Sequence, residues 1–361
     1  MNAPAALTAR DVMKRYGRGP LALEAIDLSI AAGTITGMVG PNGAGKSTMI
    51  KAWVGFERPN RGQVTVGGVD PWKRRDTALR LIGYVPQTPS LYGDLTVADH
   101  LAVAATARRN FDRPLARARL DELGISLTAP ARSLSGGQAA QVSLALALGL
   151  RAPIMLLDEP LANLDPLARR EFLRVLSDEV RKNGTTALLT SHVVTDIAQA
   201  CDHLIVLGGG HKLLDEDIAG ALTHHRLVDG SWPPPDAPAV ATVASFRDAA
   251  GSLVTLLPGG TAGRAATLEE LVIGYLAAAR SGVAPLAGER VTSANLPERI
   301  ITGPYGVPIV ASSGLSVLAV LSELAYVAGA DGTIIVRHPR FDPEVVRACL
   351  AHVAAMTRSD S

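Results

Sequence analysis

This sequence predicts an α/β fold with a mixed sheet core, and three observations predict it. Residues 35–39 read as a buried strand, residues 40–48 are glycine-rich, and residues 49–53 continue as a helix, which gives strand, loop and helix. The runs Ile154-Met155-Leu156-Leu157 and Ala187-Leu188-Leu189 each stop at polar groups, the pattern of strands buried on both faces in a parallel sheet. Residues 7–30 alternate apolar and polar positions, which suggests antiparallel strands ahead of the glycine-rich loop.

The rest of the order follows from period and punctuation. Val64-Thr65-Val66 before Gly67-Gly68 predicts a strand and turn, and residues 82–85 a short strand ending at Pro86-Gln87. From 96 to about 150 the period becomes helical, with amphipathic stretches at 99–105 and 115–120 and a helix over 139–150 for which Ser135 is the N-cap. A strand over 154–157, a helix over 166–182 and strands over 186–192 and 204–207 complete an α/β unit near Ala221. Trp232-Pro233-Pro234-Pro235-Asp236-Ala237-Pro238 reads as a stiff linker. Strands over 240–246 and 252–257 follow, then a helix to Arg280 opened by a Thr267–Glu270 capping box. After Pro285 the expectation is β-α-β-α: strand 307–310, helix 315–327, strand 333–337, and a last helix with Asp342 as N-cap and Pro343 at its first position.

A chain of 361 residues suggests two or three domains. With 35 Lys+Arg against 34 Asp+Glu there is no global basic surface for nucleic acid, and runs such as Lys73-Arg74-Arg75 read as solvated helix faces. Cys201 and Cys349 lack motif spacing and read as buried thiols, neither disulfide nor metal site. No secretory signal is visible after Met1, and the uncharged stretch 300–322 is broken by Gly303, Pro304, Gly306 and Pro308, so no membrane span is expected there. The adjacent His224 and His225 diverge on any regular element and are expected at the surface. Ser293, Ser312 and His338 show no triad order.

The chemistry concentrates in two places. Gly40 to Ser47 fits G-x-x-x-x-G-K-[ST], in which Asn42, Gly43, Ala44 and Gly45 turn backbone N–H groups toward phosphates. Lys46 supplies a point charge to the β- and γ-phosphates, Ser47 a hydroxyl for Mg²⁺, and Thr48 follows in the same first helical turn. Asp158 and Glu159 emerge at the C-terminal end of an apolar strand, where ligands of α/β sheets bind, and Asp158 suits Mg²⁺.

Six short motifs in fixed order over residues 7–221 make this chain resemble the nucleotide-binding subunit of ATP-binding cassette (ABC) transporters. The resemblance implies a P-loop NTPase fold of ABC type with a helical subdomain at about 88–150, and Glu159 as the general base for the attacking water. It makes Gln87 a mobile amide that reaches the metal or that water, and His192 a switch that touches the γ-phosphate. It places Tyr16 against adenine. Leu134-Ser135-Gly136-Gly137-Gln138 resembles the family's signature motif, which contacts ATP held by another subunit, and Asn163-Leu164-Asp165 the loop that crosses that interface. A head-to-tail pair with two ATP between its members follows, expected as a homodimer. Ala139-Ala140-Gln141 stands where relatives carry a basic, Gln-rich stretch.

The resemblance further implies a separate transmembrane permease, a position on the inner face of the cell membrane, and no nucleic acid. Residues 91–97 and 222–280 resemble ATPases that export drugs, lipids or other hydrophobic compounds, the latter as an accessory α+β domain. The alternatives are an importer's ATPase and a soluble ABC ATPase acting on the ribosome or nucleic acid. Residues 285–361 remain open between a regulatory domain, a dimerising domain and the remnant of an enzyme.

Overall fold

The computed structural model describes residues 5–230 and 242–280, together with the backbone of five strands between 298 and 336. It divides into two units, 1–276 and 277–361.

In the first unit, β1 (Ala5–Arg15) and β2 (Leu21–Ala31) pair antiparallel, and Tyr16 follows β1 in the connection between them. Strand β3 (Ile35–Val39) runs into the glycine-rich loop and α1 (Lys46–Val54). Then come β4 (Arg61–Val66), which pairs with β1, α2 (Arg75–Arg80) and β5 (Ile82–Val85). Helices α3 (Val97–Ala107), α4 (Arg113–Glu122) and α5 (Gly136–Gly149) follow. The chain returns through β6 (Ile154–Leu157), α6 (Pro166–Asn183), β7 (Thr186–Ser191), α7 (Val194–Ala200), β8 (His203–Gly208) and β9 (His211–Asp217).

The central sheet has six strands in the order β5-β6-β7-β3-β8-β9. Its first five are parallel, and β9 closes the edge antiparallel to β8. In a parallel sheet all C-terminal ends share one edge. The adjacency β6-β7-β3 therefore brings the residues after Leu157, Ser191 and Val39 together, although they are far apart in sequence. One apolar cluster joins the two sheets through α1: Leu7, Val12 and Ile26 lie on one side, Met49, Ile50 and Trp53 in the middle, Leu156, Leu188 and Ile205 on the other. Each such fully buried side chain contributes roughly 1.5–3 kcal/mol, so the loop ahead of α1 is held from both sides. Val97, Leu101, Ala116, Leu120, Val142 and Ala145 form a second cluster that packs α3, α4 and α5 on one another. Arg119 extends from α4 to Glu171 on α6 at 2.8 Å.

Sequence patterning missed β9, because five of its seven residues are charged or histidine and only Leu213 and Leu214 are buried. Its hairpin is made by Gly209 and Gly210, both at positive φ (56° and 83°), which a two-residue turn of this hand requires.

Beyond α8 (Ile218–His224) lies a four-stranded sheet of β10 (Arg226–Asp229), β11 (Ala244–Arg247), β12 (Leu253–Leu257) and β13 (Arg264–Ala265), in the order β11-β12-β10-β13. Helix α9 (Leu268–Arg280) follows, and its start carries the expected box: the Thr267 N–H donates to Glu270 at 2.9 Å and the Glu270 N–H to the Thr267 hydroxyl at 3.2 Å. The Pro-rich stretch 232–238 lies outside the described residues.

His225 corrects the expectation of a surface residue, since only 2% of it is exposed. Its Nδ1 lies 2.8 Å from the Ala221 carbonyl, which only accepts, so Nδ1 carries the proton. Nε2 then accepts from the Tyr275 hydroxyl at 2.9 Å. Adjacent residues do diverge, as the sequence argument held, but here one of the two points inward and the exposed His224 points out. Burial, with the charge of Glu216 adding to it, raises the Tyr275 hydroxyl above its ordinary pKa. Tyr275→Phe orphans the buried Nε2 and is expected to cost about 1–3 kcal/mol. Urea denaturation of the two chains measures it, and an unchanged midpoint would show that the pair adds no stability.

In the second unit the β-α-β-α expectation is corrected. Strands β14 (Glu298–Thr302), β15 (Pro308–Ser312), β16 (Val317–Leu321), β17 (Leu324–Ala328) and β18 (Ile334–Val336) form one antiparallel meander in chain order. The helix expected over 315–327 is instead a hairpin in which Leu321 pairs with Leu324. Ser322-Glu323 cut the apolar run into two pieces of strand length, and period alone does not separate a short buried strand from a helical turn. The helix expected at Asp342, together with Cys349, Ser293 and His338, lies outside the described residues.

Candidate functional site

The three strand ends meet as the topology requires. After β3, Gly40 and Gly45 are sites for glycine alone. A Cβ on Gly40 would stand 2.3 Å from the Leu207 carbonyl, and one on Gly45, at φ +105°, 2.6 Å from that of Ala22. Asn42 and Gly43 are exposed at the tip, while Ala44 is buried and its N–H donates to Pro41 at 3.1 Å. Lys46 opens α1 and is 4% exposed. Its ammonium donates to the Gly40 carbonyl at 2.7 Å and lies 3.2 Å from Glu159 Oε1.

Asp158 and Glu159 follow β6 and are 2% and 7% exposed. Ser47 Oγ donates to Asp158 Oδ1 at 3.0 Å, and Thr190 Oγ1, at the end of β7, donates to the same oxygen at 3.0 Å. Burial raises the Asp158 pKa, and the two hydroxyls oppose that rise. Glu159 has a left-handed backbone, φ +46°, and its N–H donates to Thr190 Oγ1 at 2.8 Å. Its carboxylate spans two partners, Lys46 on Oε1 and His192 Nδ1 on Oε2 at 3.0 Å. Tyr84 on β5 lies under this edge, and burial, with the charge of Asp158, pushes its hydroxyl up to about 12.

The remaining expected residues surround this cluster at different remove. Gln87 is exposed just past the end of β5. Tyr16 is 45% exposed, its hydroxyl 3.4 Å from Thr48 Oγ1, with the Lys14 ammonium 4.9 Å from its ring centroid. Asp165 caps α6, accepting from the Leu167 and Ala168 N–H groups at 2.9 and 3.0 Å.

The signature residues stand apart. Ser135 and Gln138 form a reciprocal capping box at the start of α5 (3.2 and 2.9 Å), so their side chains serve their own helix. Gly136 and Gly137 pack against Asn163: a Cβ on Gly136 would meet its Cβ at 3.7 Å, and one on Gly137 its carbonyl at 3.3 Å. Among the described residues no hydrogen bond or ion pair joins this group to Lys46 or Glu159. Gln141, in place of a basic residue, is 4% exposed.

Sequence reasoning missed Thr190 and Lys14. For Thr190 the signal was a hydroxyl at the end of an otherwise apolar run, three residues after Ala187 and two before His192. For Lys14 it was a cation two residues before the expected adenine-stacking ring.

The arrangement sets a cation at the base of a glycine-rich loop, with two hard oxygens beside it and a carboxylate next to them. A family profile described as ABC transporter matches residues 23–162. The chain is 35% identical over 215 residues to a Nod factor export ATP-binding protein I of Rhizobium meliloti, covering 58% of this chain and 64% of that one. It is 34% identical to a sulfate/thiosulfate import ATP-binding protein of Caulobacter vibrioides, covering 56% and 62%. It is 32% identical to the lipopolysaccharide export system ATP-binding protein of Haemophilus influenzae, covering 56% of this chain and 87% of that protein. The chain thus spans under two thirds of the length of the first two. A solved dimeric ATP-binding cassette in a post-hydrolysis state with ADP and Pi superposes with a TM-score of 0.54 at 25% identity, over 59% of this chain and 98% of that one. No helix among the described residues is long and apolar enough to cross a membrane. With the ABC-type P-loop fold, the shared sequence and the site in agreement, the chain belongs to the ATP-binding subunits of ABC transporters.

Proposed function

We propose that the chain binds ATP at residues 42–48, hydrolyses it with Glu159 as general base, and works as one half of a head-to-tail pair that drives a separate membrane permease. The observation that carries this reading is the convergence of Lys46, Ser47, Asp158, Glu159 and His192 at one sheet edge. Lys46 and the loop N–H groups bind the phosphates, and Tyr16, exposed beside Thr48, offers a face for the base. Glu159 takes the proton of the attacking water, and His192 orients that carboxylate.

The donor set fits Mg²⁺. Ser47 and Asp158 present two hard oxygens, and Asp158 is a buried charge with no ion pair among the described residues. Two protein oxygens suit an ion that keeps waters and takes its remaining ligands from phosphate. When bound, Mg²⁺ neutralises charge on the phosphates.

Exposed rings support a membrane partner at the cytoplasmic face. Phe56 (57% exposed) packs edge-on to Tyr84 at 5.9 Å, three residues before Gln87, and Tyr92 (70% exposed) stacks on His100 just after it. Relatives of both directions match at 32–35% identity, so export rests on the resemblance of residues 91–97 and 222–280. Affinity purification of the tagged chain from detergent-solubilised membranes tests the partner. The expected result is a polytopic membrane protein in stoichiometric amount that raises the rate of ATP hydrolysis. A chain that purifies alone from membranes, with a rate no partner changes, overturns it.

A further inference from the structure

Thr190 belongs to no motif assigned above, yet its hydroxyl sits at the centre of the cluster. The residue has no exposed surface. Its Oγ1 accepts the Glu159 N–H at 2.8 Å and donates to Asp158 Oδ1 at 3.0 Å. One hydroxyl on β7 therefore spans two consecutive residues after β6, using its single proton on the carboxylate and a lone pair on the amide. Both tasks matter. Glu159 holds a left-handed backbone at φ +46°, a conformation a non-glycine residue keeps only when its surroundings over-determine it. Asp158 Oδ1 also accepts from Ser47, so Thr190 fixes the rotation of the carboxylate that faces the loop.

We propose that Thr190 is a positioning residue for hydrolysis: it sets the direction of the Glu159 carboxylate through the Glu159 backbone and the rotamer of Asp158 through its side chain. The proposal rests on the hydrolytic role of Glu159 given above. Valine has the shape of threonine without the hydroxyl. In Thr190→Val the Glu159 N–H loses its acceptor and Asp158 one of its two donors, while Lys46 and the loop N–H groups are untouched.

The expected result for Thr190→Val is a kcat lower by about 10- to 100-fold, the range for a catalytic group displaced by about 1 Å, with ATP affinity within about twofold of the parent. Thr190→Ser restores the hydroxyl and is expected to keep at least about a third of the parental rate, which a purely packing role for the methyl group would not allow. In a Glu159→Gln background Thr190→Val should cost less than it does in the parent, because one of the two carboxylates it directs is already gone while Asp158 remains. Steady-state phosphate release with calorimetric ATP titration reads all of these. If the valine chain does not fold, Thr190→Cys, whose thiol is a weak donor and acceptor, carries the same expectation. Parental kcat in Thr190→Val, a serine chain as slow as the valine chain, or full additivity with Glu159→Gln would each overturn the role. A parental chain that binds ATP without hydrolysing it would instead overturn the hydrolytic reading itself.

Discussion

Lys46→Ala is expected to weaken ATP binding by about 10- to 100-fold, while Glu159→Gln keeps binding and loses about 100- to 10,000-fold in hydrolysis. The first figure follows from losing charge-assisted hydrogen bonds to phosphate, about 1.5–3 kcal/mol, and the second from losing a positioned general base. The structure adds a reason for the asymmetry. Lys46 lies against the Gly40 carbonyl and Glu159, in an ion pair whose side chains are 5% and 7% exposed. Phosphate has to draw the ammonium away from that carboxylate. A neutral glutamine holds it less strongly, so Glu159→Gln is expected to bind ATP at least as tightly as the parent. Lys46→Ala removes the ammonium on Glu159 Oε1 and leaves His192 on Oε2. Calorimetric ATP titration separates the two variants, and phosphate release measures the base. A Glu159→Gln chain that hydrolyses at the parental rate would remove Glu159 from the mechanism.

What the sequence disclosed and what it withheld divide along a physical line. The loop over residues 40–47 was legible because its geometry is local: Gly40, Gly45, Lys46 and Ser47 lie within a short stretch of backbone, and their spacing is fixed by it. Asp158 and Glu159 were legible because a strand with four apolar residues must end at the ligand-binding edge. Thr190 was not, because its role depends on β7 lying beside β6, a neighbour relation that sequence order does not state. His225 was misjudged for the same reason, since its burial depends on Tyr275, fifty residues on. The hairpin over 317–328 escaped because leucine, valine and alanine satisfy a buried strand and a helix alike. The signature motif was named from resemblance, and within the single chain no hydrogen bond or ion pair among the described residues ties it to Lys46 or Glu159. Its glycines open α5, on a helical cluster with its own core, and lie beside Asn163 and Leu164.

That separation leads to the second large effect. Gly136 and Gly137 are the first residues of a 14-residue helix, and the Ser135 hydroxyl is committed to Gln138, so their N–H groups are among those a helix start leaves without an intrahelical partner and that can take an anion. If that anion is ATP on a second copy, each site takes Lys46 from one chain and Gly136 from the other. Gly136→Asp is the informative lesion. A Cβ there meets Asn163 at an ordinary 3.7 Å, against 3.3 Å at Gly137, so the added carboxylate repels phosphate without crowding the fold. Each variant alone, Lys46→Ala or Gly136→Asp, should lose nearly all hydrolysis, because both sites of its homodimer are damaged. Mixed in equal amounts, random pairing makes half the dimers mixed. In those, one site carries both defects and the other carries none. About a quarter of all sites are then whole, and up to about a quarter of the parental rate should return if one site turns over alone. Phosphate release across mixing ratios, with mixed dimers verified by differential tagging, measures it. A rate that stays at the level of the separate variants while mixed dimers are present would show that each site is built within one chain.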